Sequence, residues 1–246
     1  MYAEDLIKGP LPVVRVGIGS ASVNDNSEKS ASAFDNVTVY TDPDALVSDL
    51  YEGRIDAAVR GDMSSSILLP KLREVFRLGG LQRTVIMQPT GRKMVFIAPV
   101  GIDEGWTVEQ KCELAVLSVR LMRKLGMGER IAVMSGGRKD DRGRNPSVDR
   151  TIDDASDVVT ALKDRGYDAY HSEILIESAV DDADLIIAPD GISGNIIFRT
   201  LHFLGGAAAL GAPVINMEKV FIDTSRVKTD YRDSIALAMR LTERMR

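Results

Sequence analysis

The segment ADLIIAPDGISGN, residues 183–195, concentrates more chemistry than any other stretch of this 246-residue chain. An apolar run at 185–188 ends in Pro189, Asp190 and Gly191. Ser193 and a second glycine, Gly194, follow, and apolar spacing resumes after Asn195 at Ile196, Ile197, Phe198, Leu201, Phe203 and Leu204. This pattern predicts a buried strand, a short loop of small and polar residues, and the start of a helix. The first N–H groups of a helix have no partner within it, and aligned peptide dipoles add partial positive charge. Such a junction suits an anion, phosphate above all. The same pattern also describes an ordinary strand-to-helix connection.

Other segments that follow strand-like runs carry chemistry of the same kind. Gly17-Ile18-Gly19 with Asp42 further on has a dinucleotide flavour, but Ser22 replaces the third glycine and no good helix follows, so a tight structural turn is expected. Arg60-Gly61-Asp62-Met63-Ser64-Ser65-Ser66 sets a cation, a flexible glycine and three hydroxyls at a helix start. The hydroxyls can cap the helix or donate to a phosphoryl oxygen, with Arg60 supplying charge. Ser135, Gly136 and Gly137 open a loop bearing Arg138, Lys139, Arg142, Arg144 and Arg150 among aspartates, which reads as a solvated charge run. Thr224-Ser225-Arg226 pairs hydroxyls with a guanidinium, whose fork suits phosphate or carboxylate. Cys112 lies on the apolar face of a helix and reads as inert core. His202 is expected to pack within its helix and His171 to be a strand-edge residue.

These loops need elements to hold them. Strands are expected at residues 13–17, 37–40, 55–59, 84–88, 94–99, 131–134, 185–188, 214–217 and 220–223. Helices are expected at 43–52, near 67–77, at 108–124, at 152–165, after 195 and at 231–246. Asp42 and Pro43 give a capped start, and Gly166 a C-terminal stop. Residues 20–34 and 135–150 read as loops, the former as a frayed helix at most. Strands alternating with helices mean an α/β protein with mostly parallel sheets, whose ligands bind beyond the carboxyl ends of strands.

A net charge of −5, with 31 basic against 36 acidic residues, argues against nucleic acid as a partner, since phosphate backbones are held by clustered Lys and Arg. One cysteine excludes internal disulfides. With two histidines besides, no metal site is expected; carboxylates could hold magnesium, but no spacing singles out a site. No apolar run approaches the ~20 residues that span a bilayer, and no signal pattern opens the chain. No membrane partner and a cytoplasmic location are expected.

Taken together, the segments resemble the phosphate acetyl/butyryltransferase family. The likeness is carried by GRIDAAVRG at 53–61 leading to Ser65-Ser66, by Val133-Met134-Ser135, by PDGISGN at 189–195, and by Ser225-Arg226 before SIALA at 234–238. It runs from about residue 50 to the C-terminus. The whole chain is similar also to a divergent branch, the MtxX or methanogenesis-marker-four family, whose label is methyltransferase-related. The resemblance implies a two-domain α/β fold like that of isocitrate and isopropylmalate dehydrogenases. Its first domain would comprise 1–91 plus 208–246, an inserted second domain 92–207, and the active cleft would lie between them. It implies a homodimer, a phosphorylated or thiol-bearing small ligand, and coenzyme A or another thiol coenzyme as co-substrate.

By the same resemblance Arg226 would hold phosphoryl oxygens and Ser225 would hydrogen-bond the reacting carbonyl or phosphate. Asn195 and the N–H groups near Gly194 would steady the developing anion. Arg60, Gly61, Ser65, Ser66, Ser135, Gly136, Asp190, Gly191, Ser193 and Gly194 would bind substrate or phosphate. Two departures stand out. Pro70-Lys71 replaces a further arginine of the acetyltransferases, and VKTDYRDS at 227–234 does not match their acidic stretch, leaving Asp230 and Asp233 as candidate bases for a thiol. Three readings follow: a transferase moving an acyl or one-carbon-type group to or from phosphate or a thiol, in methanogenic one-carbon metabolism; a methyltransferase of methanogenesis; and a non-catalytic binder of phosphorylated ligands.

Overall fold

The computed structural model describes residues 1–21 and 25–245, Asp25 by its backbone alone. Ser22, in the expected glycine-type turn, lies outside the described residues. In chain order the elements are α1 (Ala3–Ile7), β1 (Val16–Gly19), α2 (Asp25–Ala31), β2 (Val37–Tyr40), α3 (Pro43–Tyr51), β3 (Ala57–Val59) and α4 (Ser65–Val75). There follow β4 (Val85–Gln88), β5 (Val95–Ala98), α5 (Val108–Lys124), β6 (Ile131–Met134), α6 (Pro146–Asp164), β7 (Ala169–Glu173), α7 (Ile176–Asp182) and β8 (Leu185–Ile187). Last come α8 (Gly191–Arg199), β9 (Ala208–Pro213), β10 (Val220–Asp223) and α9 (Arg232–Met245).

The chain divides into two compact units. A terminal unit holds Glu4–Leu81 and Leu210–Arg246, and a central unit holds Gln82–Ala209 with Met1–Ala3. In the terminal unit the strand order is β2-β1-β3-β10-β9, parallel except for β9, which runs antiparallel to β10. In the central unit it is β4-β5-β8-β6-β7, parallel except for β4.

Inner strands of the central unit are apolar throughout, VFIA, LII and IAVM, and every residue of them is buried. That is the signature of a parallel sheet covered on both faces. Helix α5 turns Cys112, Ala115, Val119 and Met122 inward, with Thr107 accepting from the Gln110 N–H at 3.3 Å as its cap. Burial pushes the Cys112 thiol pKa up, as befits an inert core residue. In the terminal unit, Leu46, Leu50, Leu68, Leu72 and Phe221 pack α3 and α4 on the sheet. Asp42 caps α3, accepting from Asp44 N at 2.9 Å.

Four expectations differ from what is found. Residues 20–34 contain α2, whose buried side chains are the hydroxyls Ser27 and Ser30 besides Ala31, so the helix shows no apolar periodicity. Ser30 Oγ accepts from Tyr231 N at 3.0 Å. Within 135–150, α6 starts at Pro146 behind an Asn145 cap, and its exposed first turns delay the apolar pattern until Ile152. The strand expected at 214–217 lies at β9 instead, built from small residues, while Val214 and Met217 are core side chains. The helix after Asn195 converts at Thr200–Leu204 into a π turn.

Candidate functional site

In the terminal unit β3 and β10 are parallel neighbours in register Ile222↔Val59, so residues 60–66 and 223–226 leave the sheet side by side. Two interactions tie them. Arg60, 5% exposed, pairs through Nε with Asp223 and donates from Nη1 to Met63 O at 2.6 Å. Thr224 Oγ1 donates to Gly61 O at 2.7 Å. Gly61 has a φ of +61°, and a Cβ there would land on the Gly19 carbonyl oxygen. Gly19 is equally tight against Arg60 O and Met63, and Gly17 against Leu46 and Ile55. The glycines of β1 thus serve close packing. Arg60 differs from expectation, because its charge is engaged by Asp223 inside the protein.

What these ties leave outside is the amino end of α4. Ser64 occupies the cap position without a side-chain cap bond, its Oγ lying 2.8 Å from Ser66 Oγ. Ile67 N and Leu68 N donate to Ser64 O at 3.1 and 3.0 Å. The Ser65 and Ser66 N–H groups have no partner among the described residues, and no acid stands in the first turn. After the neighbouring strand, Ser225 Oγ accepts from Val227 N at 3.4 Å, and Arg226 is exposed with no ion pair to a described residue. Lys71 is paired with Asp44, so it does not act as a free point charge.

Beyond Arg226 the candidate bases separate. Asp230 accepts from Arg232 at 2.9 and 3.0 Å, and that hydrogen bonding holds its pKa below the usual carboxylate range. Asp233 is exposed in the first turn of α9. Lys228 went unnoticed in the sequence: its Nζ donates to Ser234 Oγ at 3.0 Å, and burial lowers its pKa against the pull of Asp233 and Asp230. Tyr231, 1% exposed, has its hydroxyl pKa pushed up to about 12 by burial and by Asp62.

The central unit holds the other expected residues, and there the geometry is closed. At the start of α8 the Asp190 carboxylate accepts from Ser193 N at 2.8 Å and Ser193 Oγ at 3.1 Å, Gly191 N donates to Glu104 O at 3.0 Å, and Gly194 N donates to Asp190 O at 3.0 Å. Of the donors expected to be unpaired, only Ile192 N remains so among the described residues. Asn195 Nδ2 is fixed on Val100 O at 2.8 Å. A Cβ on Gly191 or Gly194 would strike the carbonyl oxygens of Gly101 or Pro99. The glycines of this segment thus serve close helix packing, and Asp190 caps the helix from within.

At the ends of β6 and β7, Ser135 Oγ donates to Gly137 O at 2.7 Å and lies 2.8 Å from His171 Nε2, while Gly136 N donates to Thr151 Oγ1 at 2.8 Å. A register shift after Val133 and a φ of +58° at Glu173 mark an irregularity in β7. Burial, and Lys139 after it, lower the His171 pKa against Glu173. The neighbouring cations are paired as a solvated run would be, Arg142 with Asp153 at 2.5 Å and Arg144 with Asp141. Sequence gave no sign of the buried pair Arg83–Glu104, 2.6 Å, which underlies the 101–104 turn.

Parallel sheets in two units, with glycines where backbones cross, define a fold shared with phosphate acyltransferases. A branched-chain phosphotransacylase from Enterococcus faecalis matches with a TM-score of 0.72 at 16% identity, covering 98% of this chain and 93% of that one. A phosphotransacetylase from Streptococcus pyogenes matches with a TM-score of 0.71 at 15% identity, covering 99% and 96%. At such identity the likeness is one of fold. No family model matches the chain. In sequence, the "Putative methyltransferase mtx subunit X" of Methanosarcina acetivorans is 41% identical over 222 residues, 89% of this chain and 79% of its own length. The chain belongs to the MtxX family. None of its described helices is long and apolar enough to cross a membrane.

Proposed function

We propose that this protein is a transferase whose oxyanion-holding site lies in the terminal unit, where α4 begins beside the Ser225-Arg226 segment. The ligand class is a small phosphorylated or acyl-phosphate compound, with a thiol coenzyme such as coenzyme A as the second substrate. One observation carries the reading: locked loops on adjacent strands leave the Ser64, Ser65 and Ser66 hydroxyls, two N–H groups and the Arg226 guanidinium without an anionic partner among the described residues. Helix dipole, N–H groups and a forked cation together suit three phosphoryl oxygens. Thiol attack on an acyl phosphate needs a group to take the thiol proton. With Asp230 engaged by Arg232, the exposed Asp233 and the desolvated Lys228 are the candidates in that segment for this role.

The printed name of the relatives favours a second reading, methyl transfer in methanogenic metabolism. Mixing the protein with acetyl-, propionyl- and butyryl-CoA plus phosphate and following free thiol tests the first. Phosphate-dependent release that Arg226→Ala abolishes supports it. Absence of release with all three, alongside calorimetric binding of S-adenosylmethionine, turns the assignment to methyl transfer.

A further inference from the structure

Tyr231 is among the largest side chains that the protein buries completely, yet its hydroxyl makes no hydrogen bond to a described residue. Its backbone, by contrast, is fully engaged at the start of α9. The N–H donates to Ser30 Oγ at 3.0 Å, and the carbonyl accepts from Ile235 N at 2.9 Å. These bonds fix the residue between α2 and α9 whatever its side chain carries, and a phenylalanine ring would fill the same volume. The hydroxyl is the part that needs a reason. Buried tyrosine hydroxyls ordinarily find a partner, because a donor removed from water and left unpaired weakens the fold.

The hydroxyl lies against the loop that carries the candidate site, since Asp62 and Arg60 are the charges that act on it. Both residues already have work there. Arg60 is spent on Asp223 and on Met63 O, and Asp62 Oδ1 accepts from Ala21 N at 2.8 Å. Gly61 O is taken by Thr224 Oγ1 at 2.7 Å. The turn is therefore tied to its neighbouring strands, and the phenol is left over beside it. Ser64, Ser65 and Ser66 follow in the same loop, and Arg226 precedes Tyr231 in the other. Burial and Asp62 push the phenol pKa up to about 12, so the group keeps its proton and can only act as a neutral partner. A neutral donor adds no charge to an anion site, but it fixes the direction of one oxygen. The N–H groups and the guanidinium supply the positive potential, and a phosphoryl group has oxygens enough for a further donor.

We propose that the Tyr231 hydroxyl is a binding residue of this site, donating to an oxygen of the phosphoryl group held at α4 and Arg226. The inference rests on the site assigned above. Calorimetry on the full chain with inorganic phosphate at millimolar concentration tests it. Tyr231→Phe should weaken phosphate at least 5-fold while the thermal midpoint stays level or rises, because the free protein loses only an unpaired group. Should that variant misfold, the wild type labelled with 13Cζ-tyrosine decides the matter. One of its six tyrosine resonances should shift on adding phosphate, and none should shift in Arg226→Ala. No shift in the wild type, or phosphate bound equally well by Tyr231→Phe and less well by Arg226→Ala, overturns the inference and leaves the site standing. A lower midpoint with unchanged affinity makes the hydroxyl structural and overturns it too. A wild type that binds no phosphate, or binds it regardless of Arg226, removes the site and this inference with it.

Discussion

The amino ends of α4 and α8 both follow a parallel strand through a short loop of glycine and hydroxyl residues, and a sequence reader would rank them alike. In α8 the carboxylate of Asp190 occupies the place an incoming anion would take, and neighbouring carbonyls press on its glycines. At α4 the corresponding position holds Ser64, which makes no cap bond, and no acid lies in the first turn. A cap side chain that accepts from a first-turn N–H closes a helix end; one that makes no such bond leaves those N–H groups to an external acceptor. The more conspicuous segment therefore has its helix start capped from within, and the plainer one does not.

The largest effect expected from this contrast concerns what holds the α4 side together. Asp223→Ala strands the buried Arg60 charge and should cost about 3–5 kcal/mol of unfolding free energy, measured by urea denaturation. A cost near that of an exposed ion pair would mean that the loops are not locked as described. Next, Arg226→Ala should weaken a phosphate-bearing ligand by ~1.5–3 kcal/mol in calorimetry, the scale of a hydrogen bond to a charged group. Its stability should stay within about 0.5 kcal/mol, as for other surface changes. Smaller again, Asp190→Ala should cost about 1 kcal/mol of stability through the lost cap, while Ser64→Ala should cost only a few tenths and instead reduce ligand affinity. Equal stability losses at the two caps would erase the distinction.

Elements were legible wherever apolar spacing reached the core. The α5 and β6 bounds are those the periodicity gives, and the Asp42-Pro43 start of α3 was readable from the cap alone. Legibility failed where burial uses hydroxyls or small residues, as in α2 and in the AALGAP strand β9, because neither carries an apolar pattern. At the candidate site, Ser225 and Arg226 are weak signals by residue type alone, and the family resemblance is what singles them out. Roles that depend on which partner a side chain finds were not legible. Arg60 looked like a free cation until Asp223, 163 positions away, was seen to hold it, and Asn195 looked like a reacting-group donor until Val100 O claimed it. Partners that distant leave no local spacing to read.

A final difference between the two units is their response to acid, since both histidines, His171 and His202, belong to the central unit. The pKa of His171 is displaced. Burial lowers it, Lys139 adds to the effect, and Glu173 opposes it. The buried Nδ1 has no partner among the described residues, whereas Nε2 meets Ser135 Oγ, so a second ring proton would find no acceptor among them. The unfolded imidazole takes up its proton near pH 6.5, above the pKa of the folded one. The His171 contribution is therefore fully present above about pH 6.5 and is lost as pH falls through the folded pKa. Thermal melts from pH 7.5 to 5 should show the midpoint dropping with acid, and His171→Gln should flatten that slope relative to the carboxylate background. Slopes that stay parallel would place the acid sensitivity elsewhere than the Ser135–His171 contact.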